Sequence, residues 1–213
     1  MSSKIKVDQI ENTSGSGDVA FTGTGGIKLD TIKSSSGNSA ITIASNGGIA
    51  LSSSQQSAQS FRLSQVIAGT GALQMLTPFE EIDTDYTRVG SANWTVTAGA
   101  FSVATTGTYL CLYHLGSWIP DGSSPADIFD ARIQLSTNSG ASYVSRSSVW
   151  VEHAGGGRVG AVTNQFIFTV SNASAFRLRF VLGEDNAAAT TTNIRGHSTR
   201  TDTGITFLKL GVL

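Results

Sequence analysis

The 213-residue chain contains one cysteine, three prolines and two methionines, and only 14% of its positions are charged. A lone cysteine excludes an intrachain disulfide framework. So little charge, without Ala, Leu, Glu and Lys recurring at helical spacing, excludes a helical bundle. Lys and Arg total 14 against 15 Asp and Glu, a net charge of −1. The basic excess that phosphate contacts require is missing, so no nucleic-acid partner is expected. No apolar run reaches the roughly 18 residues that read as a bilayer span. Met1-Ser2-Ser3-Lys4 leads into polar sequence, so neither membrane insertion nor a secretory route is expected. What the chain has instead is glycine, 24 residues of it, with abundant Ser and Thr. The length suggests one domain or a little more.

The aromatic residues divide the chain. Phe21 is the only one before Phe61, and all the others follow. Lysine divides the other way, with Lys4, Lys6, Lys28 and Lys33 near the start, while every Arg lies at or beyond Arg62. Ser52-Ser53-Ser54-Gln55-Gln56-Ser57-Ala58-Gln59-Ser60 between them reads as a linker or neck. The expected organisation is a first segment over 1–51, a linker and neck over 52–72, and a globular part over 73–213.

The first segment repeats itself. A shift of 22 residues places Ile5-Lys6-Val7-Asp8-Gln9-Ile10 on Ile27-Lys28-Leu29-Asp30-Thr31-Ile32. Further on, Ser14-Gly15 falls on Ser36-Gly37, Val19 and Phe21 on Ile41 and Ile43, and Gly25-Gly26-Ile27 on Gly47-Gly48-Ile49. Each unit reads as two short β segments separated by Ser/Gly turns. Such a unit cannot stand alone. Its few apolar side chains contribute about 1.5–3 kcal/mol each when buried, against ordering costs of about 1–2 kcal/mol per residue. Ile5, Val7, Ile10, Ile27, Leu29, Ile32, Ile41 and Ile43 must therefore pack against neighbours, as they would in a stalk of several chains wound about one axis.

From Leu73 onward, apolar residues alternate with polar ones. Phe166, Phe168 and Val170 share one face, and Phe176, Leu178, Phe180 and Leu182 another. Period two with one polar side signals half-buried strands. Similar runs at 101–103, 108–115, 132–135, 143–151 and 205–212, punctuated by Thr106-Gly107, Asn138-Ser139-Gly140 and Gly183-Glu184-Asp185-Asn186, predict an all-β sandwich of the jelly-roll kind.

Phe101-Ser102-Val103-Ala104-Thr105-Thr106-Gly107-Thr108-Tyr109-Leu110 resembles the F-x-V-x-x-x-G-x-Y strand pair of complement globular heads and tumour-necrosis-factor-like jelly rolls. The run from Gly204 to Leu213 resembles their apolar closing strand. Lys6-Val7-Asp8-Gln9-Ile10 and Gly25-Gly26-Ile27-Lys28-Leu29-Asp30-Thr31-Ile32-Lys33-Ser34 resemble amino-terminal repeats of small fibre and appendage proteins of tailed bacteriophages. Together these resemblances imply a homotrimer, a slender β stalk bearing a jelly-roll head. They also imply residence in a virion, docking on capsid or tail proteins through the repeat, and binding to a host-surface glycan or protein. Phage fibres are often much longer, which leaves room for a capsid decoration role. A lectin-like module and a polysaccharide-degrading spike are further alternatives.

The candidate chemistry is sparse. Gly155-Gly156-Gly157-Arg158-Val159-Gly160 matches a dinucleotide-binding pattern in letters only, because no helix pattern follows it; it reads as a hairpin loop. Cys111 shares a strand face with Tyr109 and Tyr113 and reads as a buried thiol. His114, His153 and His197 have no metal-binding spacing. Asp127 and Asp130, with Glu184 and Asp185, form two acidic groups read as loops, where calcium is the only cofactor to consider, although surface carboxylates more commonly serve solubility. No nucleophile elbow or spaced catalytic triad occurs, so no enzymatic activity is expected. Trp118, Tyr143, Arg146, Trp150, Arg158 and Arg195 could stack on sugars or anchor a partner. Core or interface filling is the commoner use of Trp94, Trp118 and Trp150.

Overall fold

The structure, a computed structural model, describes residues 31–33, 39–43, 49–51, 57–69, 73–82, 88–119, 127–153, 157, 159–184 and 192–211. The chain divides into two units, Met1–Ala50 and Leu51–Leu213. β1 (Thr31–Lys33), β2 (Ser39–Ile43) and β3 (Ile49–Leu51) make a sheet in that order. Ile32 stands opposite Ile41 across the antiparallel β1–β2 pair. The two segments of the second repeat thus pair with each other. Ile5, Val7, Ile10, Ile27 and Leu29 lie outside the described residues.

The second unit has strands and no helix among its described residues. It contains β4 (Ala58–Leu63), β5 (Ile67–Ala68), β6 (Gln74–Met75), β7 (Phe79–Glu81), β8 (Trp94–Thr97), β9 (Ala100–Val103), β10 (Gly107–Trp118), β11 (Asp127–Ser136), β12 (Val144–His153), β13 (Val159–Val170), β14 (Arg177–Glu184), β15 (Asn193–Ile194) and β16 (Gly204–Gly211). Two antiparallel sheets result. The first runs β5-β15-β10-β16-β4-β7, with β13 on the other edge of β10; the second runs β12-β11-β14-β9-β8, with β6 also on β14. The principal strands β4, β9, β10, β11, β12, β13, β14 and β16 pair first with last, second with seventh, third with sixth and fourth with fifth. Nested pairing of that kind, split between two sheets, is a jelly roll.

The inward faces are those the alternation marks. Tyr109, Cys111, Tyr113 and Leu115 of β10, Phe168 and Val170 of β13, and Leu178, Phe180 and Leu182 of β14 are all buried. Trp94 stacks on Phe207 at 4.0 Å and 13°, and Phe61, Phe101 and Phe180 meet edge-on about Phe101 at 5.1 and 5.3 Å. Aromatic pairs of this geometry contribute about 0.5–1.5 kcal/mol beyond the area they bury.

The Phe101–Tyr109 motif has a physical reason. The Tyr109 hydroxyl lies 2.7 Å from Asn93 Nδ2 and donates to the Thr105 carbonyl at 2.9 Å, closing the turn between β9 and β10. Gly107 has φ 147°, and a Cβ there would lie 2.6 Å from the Gly211 carbonyl oxygen. Only glycine fits.

Two expectations need correction. Residues 58–63, expected within the linker, form β4 at the heart of the first sheet, with Phe61 and Leu63 in the core. Gln59 is buried there because its amide bonds Trp94 O (2.9 Å), Asn93 N (3.0 Å) and Trp94 N (2.8 Å), and Arg62 because it pairs with Glu80 at 2.7 Å. β12 and β13 belong to different sheets and do not pair as the arms of the hairpin expected at Gly155–Gly160; Gly155, Gly156 and Arg158 lie outside the described residues.

Candidate functional site

The outward faces of the two sheets differ in chemistry. On the second sheet, polar side chains cover most of the described surface, with Trp150, opposite Asp130, as an exposed apolar exception. Asp130 pairs with Arg132 and accepts from Ser148 Oγ at 2.6 Å, and Arg179 Nε donates to Gln134 Oε1 at 2.7 Å. The Arg179 guanidinium also lies 4.1 Å over the Tyr143 ring. This face has internal partners for its charge and suits water.

On the first sheet, β10 presents Leu110 and Leu112 outward, Leu112 between Gln165 of β13 and Thr206 of β16. Leu110 is opposite Ile167 on one side and Leu208 on the other, and Leu208 is opposite Ala58 of β4. Ile167 is 61% exposed. Thr and Gln side chains and His114 occupy most other outward positions of β10, β13 and β16, and none of the described outward positions there carries a formal charge. Of the charges beside the row, Arg62 of β4 is bound to Glu80, and Lys209, next to Leu208, turns its ammonium to Thr105 Oγ1 at 3.2 Å. An apolar row spanning four strands without charge is what a protein surface avoids unless something covers it.

Toward the end of β10 the face opens into a cleft of about 380 Å³, lined by Trp118, Val66, Val159, Arg195, His197, Arg200 and Asp202. It is contiguous with a second hollow of about 390 Å³ that shares Val159, Arg195 and Asp202 and reaches His114. Two glycines let its walls meet. A Cβ on Gly196 would overlap the Gln65 carbonyl, and one on Gly116 would lie 2.6 Å from the Asp202 carbonyl oxygen. Backbone bonds then fix the segments: Arg195 N–H to Gly116 O at 2.8 Å, and His197 N–H to Leu63 O at 2.8 Å. Arg200 Nε reaches both Asp202 oxygens at 3.1 Å, whereas Arg195 approaches the same carboxylate only at 3.8 Å. One carboxylate thus faces two guanidiniums. The Thr199 backbone N–H donates to His197 Nδ1 at 3.1 Å, so a neutral His197 carries its proton on Nε2.

Of the residues proposed from sequence for surface binding, Trp118 and Arg195 converge here. Tyr143, Arg146 and Trp150 belong to the second sheet and its edge, and Arg158 lies outside the described residues. Core filling holds for Trp94, which is buried, but Trp118 and Trp150 are 37% and 50% exposed. Val66, Arg200 and Asp202 do not stand out in the sequence reading, and His197 enters it only as a histidine without metal-binding spacing; the Arg-x-Asp spacing at 200–202, which puts both side chains on one side of an extended chain, is the available signal.

The acidic groups are not the loops expected. Asp127 and Asp130 belong to β11 and Glu184 to β14, with Gly183 opposite Asp130. Asp130 is buried and already bound by Arg132, although its Oδ1 has no partner. Asp185 lies outside the described residues. Among the described residues no three His, Cys, Asp or Glu side chains gather as metal ligands.

No protein-family model and no curated protein matches the chain. Solved structures do align with it. Crystal structures of murine APRIL at pH 5.0, 8.5 and 8.0 give TM-scores of 0.49, 0.46 and 0.48 at 8%, 10% and 10% identity, each covering 73% of this chain and 99% of that one. At those values the likeness adds nothing to the strand order, on which the jelly-roll assignment rests.

Proposed function

We propose that the protein is a non-enzymatic structural component of a bacteriophage particle, a homotrimer whose N-terminal repeats form a stalk and whose jelly-roll head meets the host surface. The observation that carries self-association is the uncharged apolar row Ile167–Leu110–Leu208–Ala58 on the outward face of the first sheet. Its best occupant is a second copy of the same face or edge, because a solvent-facing sheet would carry the polar tiling seen on the opposite side. Burying such a row contributes about 25 cal/mol per Å² of apolar area removed from water. The repeat units point the same way, since a unit too small to bury its own side chains needs neighbouring chains. The resemblance of the repeats to phage appendage proteins supports the particle assignment. Three heads on one stalk would bind a surface by avidity, so each contact can be weak.

Gold-labelled antibody on intact particles tests the assignment. Label at the tail supports an appendage that meets the host, label over the shell makes the protein a capsid decoration protein instead, and unlabelled particles overturn the virion reading.

A further inference from the structure

We propose that the Trp118–Arg195 cleft binds a carboxylated sugar, a uronic acid unit of an acidic surface polysaccharide. The proposal rests on the reading of the head as a surface-binding module and names the chemistry it would meet. Four observations select that ligand. The cleft volume of about 380 Å³ falls in the range of roughly 300–1,000 Å³ typical of small-ligand sites. Trp118 supplies an aromatic plane, with Val159 directly opposite it across β10–β13 and Val66 beside it. Such a wall suits the C–H face of a pyranose ring, which a phosphate or a free metal ion would leave unused.

Beside that wall, Arg195 and Arg200 share the single carboxylate of Asp202, so the cluster keeps one uncompensated positive charge. Arg195 is the guanidinium with capacity to spare, 41% exposed and only 3.8 Å from Asp202. Arg forks bind carboxylates through paired N–H donors. His197, its Nδ1 occupied by Thr199, offers Nε2–H to a sugar hydroxyl, and Asp202 offers acceptor lone pairs to another. The site is also preformed, because Gly116 and Gly196 lock its three segments together by backbone contact, and little ordering cost remains for binding.

The cleft is compatible with assembly through the apolar row. Trp118 lies eight positions along β10 from Leu110, about 26 Å at strand rise.

Titration calorimetry of the full chain with trigalacturonate, and with maltotriose as the neutral counterpart, tests the proposal. Saturable binding of trigalacturonate without binding of maltotriose is expected, weakened at least tenfold by Arg195→Gln and by Trp118→Ala and unchanged by Arg146→Gln. Arg195→Gln alters an exposed side chain and keeps the fold, so its result stands even if Trp118→Ala unfolds. No binding by the wild type, equal binding of both sugars, equal displacement by inorganic phosphate, or an unchanged Arg195→Gln each overturns it. The mass of the same sample separates the two readings: a trimer that does not bind removes the cleft alone, and a monomer that binds removes the assembly alone.

Discussion

Asn93 Nδ2 lies 2.7 Å from the Tyr109 hydroxyl beside the β9–β10 turn, and that hydroxyl also meets Thr105 at 2.9 Å. Both Tyr109 and Asn93 are buried. Replacing Tyr109 with Phe keeps the ring packing on Trp94 and Phe168 but leaves the buried Asn93 Nδ2 without its partner, while Thr105 is exposed and turns to water. Urea unfolding of Tyr109→Phe should show a loss of about 1–3 kcal/mol. An unchanged midpoint would mean that the hydroxyl network does not hold the β9–β10 turn.

Gly196 and Gly211 offer a paired comparison. A Cβ at Gly196 would overlap the backbone of Gln65, whereas one at Gly211 meets nothing within 4 Å. Gly196→Ala should cost about 1–3 kcal/mol, the range for forcing extra volume into a packed site, and should separate the 195–197 segment from Val66. Gly211→Ala should stay within about 0.5 kcal/mol of the wild type. Thermal unfolding of the two variants side by side makes the check.

Burial pushes the Cys111 thiol well above its ordinary value of 9.0, and burial, with Asp130 and Cys111 adding to it, pushes the Tyr113 phenol well above 10.0. Both groups stay protonated in the folded chain after the unfolded chain has begun to ionise them. The unfolded state then holds fewer protons, so stability is complete below about pH 9 and declines as pH rises through the range between the unfolded and folded values. Unfolding free energies between pH 7 and 11 should fall accordingly, and Cys111→Ala should flatten the first part of the decline. The native thiol should also resist alkylation that proceeds readily in denaturant.

Much of the sandwich was legible because period-two alternation depends only on which side chains enter the core. β13 and β14 read correctly from Phe168, Val170, Leu178, Phe180 and Leu182. β4 did not, because Gln59, Ser60 and Arg62 look solvated in sequence and are buried only by virtue of partners far along the chain, Trp94, Thr206 and Glu80. The cleft was half legible. Trp118 and Arg195 drew notice as residue types, but nothing in a linear order tells that Gly116 and Gly196 bring them together, or that Asp202 joins them.

A charge placed in the apolar row should separate assembly from folding. Leu110→Glu puts a carboxylate between Ile167 and Leu208 on the outward face, leaving the inward Tyr109 and Cys111 untouched. The variant should keep its β-sheet circular dichroism and lose its higher mass in sedimentation. Arg146→Gln on β12 should change neither. A Leu110→Glu protein of unaltered mass would remove that face from the account.

On the proposed reading, the head and its repeats are complete only as a trimer. Multi-angle light scattering of the full chain across a hundredfold concentration range tests it most directly. The expected mass is near three times 22.1 kDa. A stable mass of 22.1 kDa throughout would contradict it.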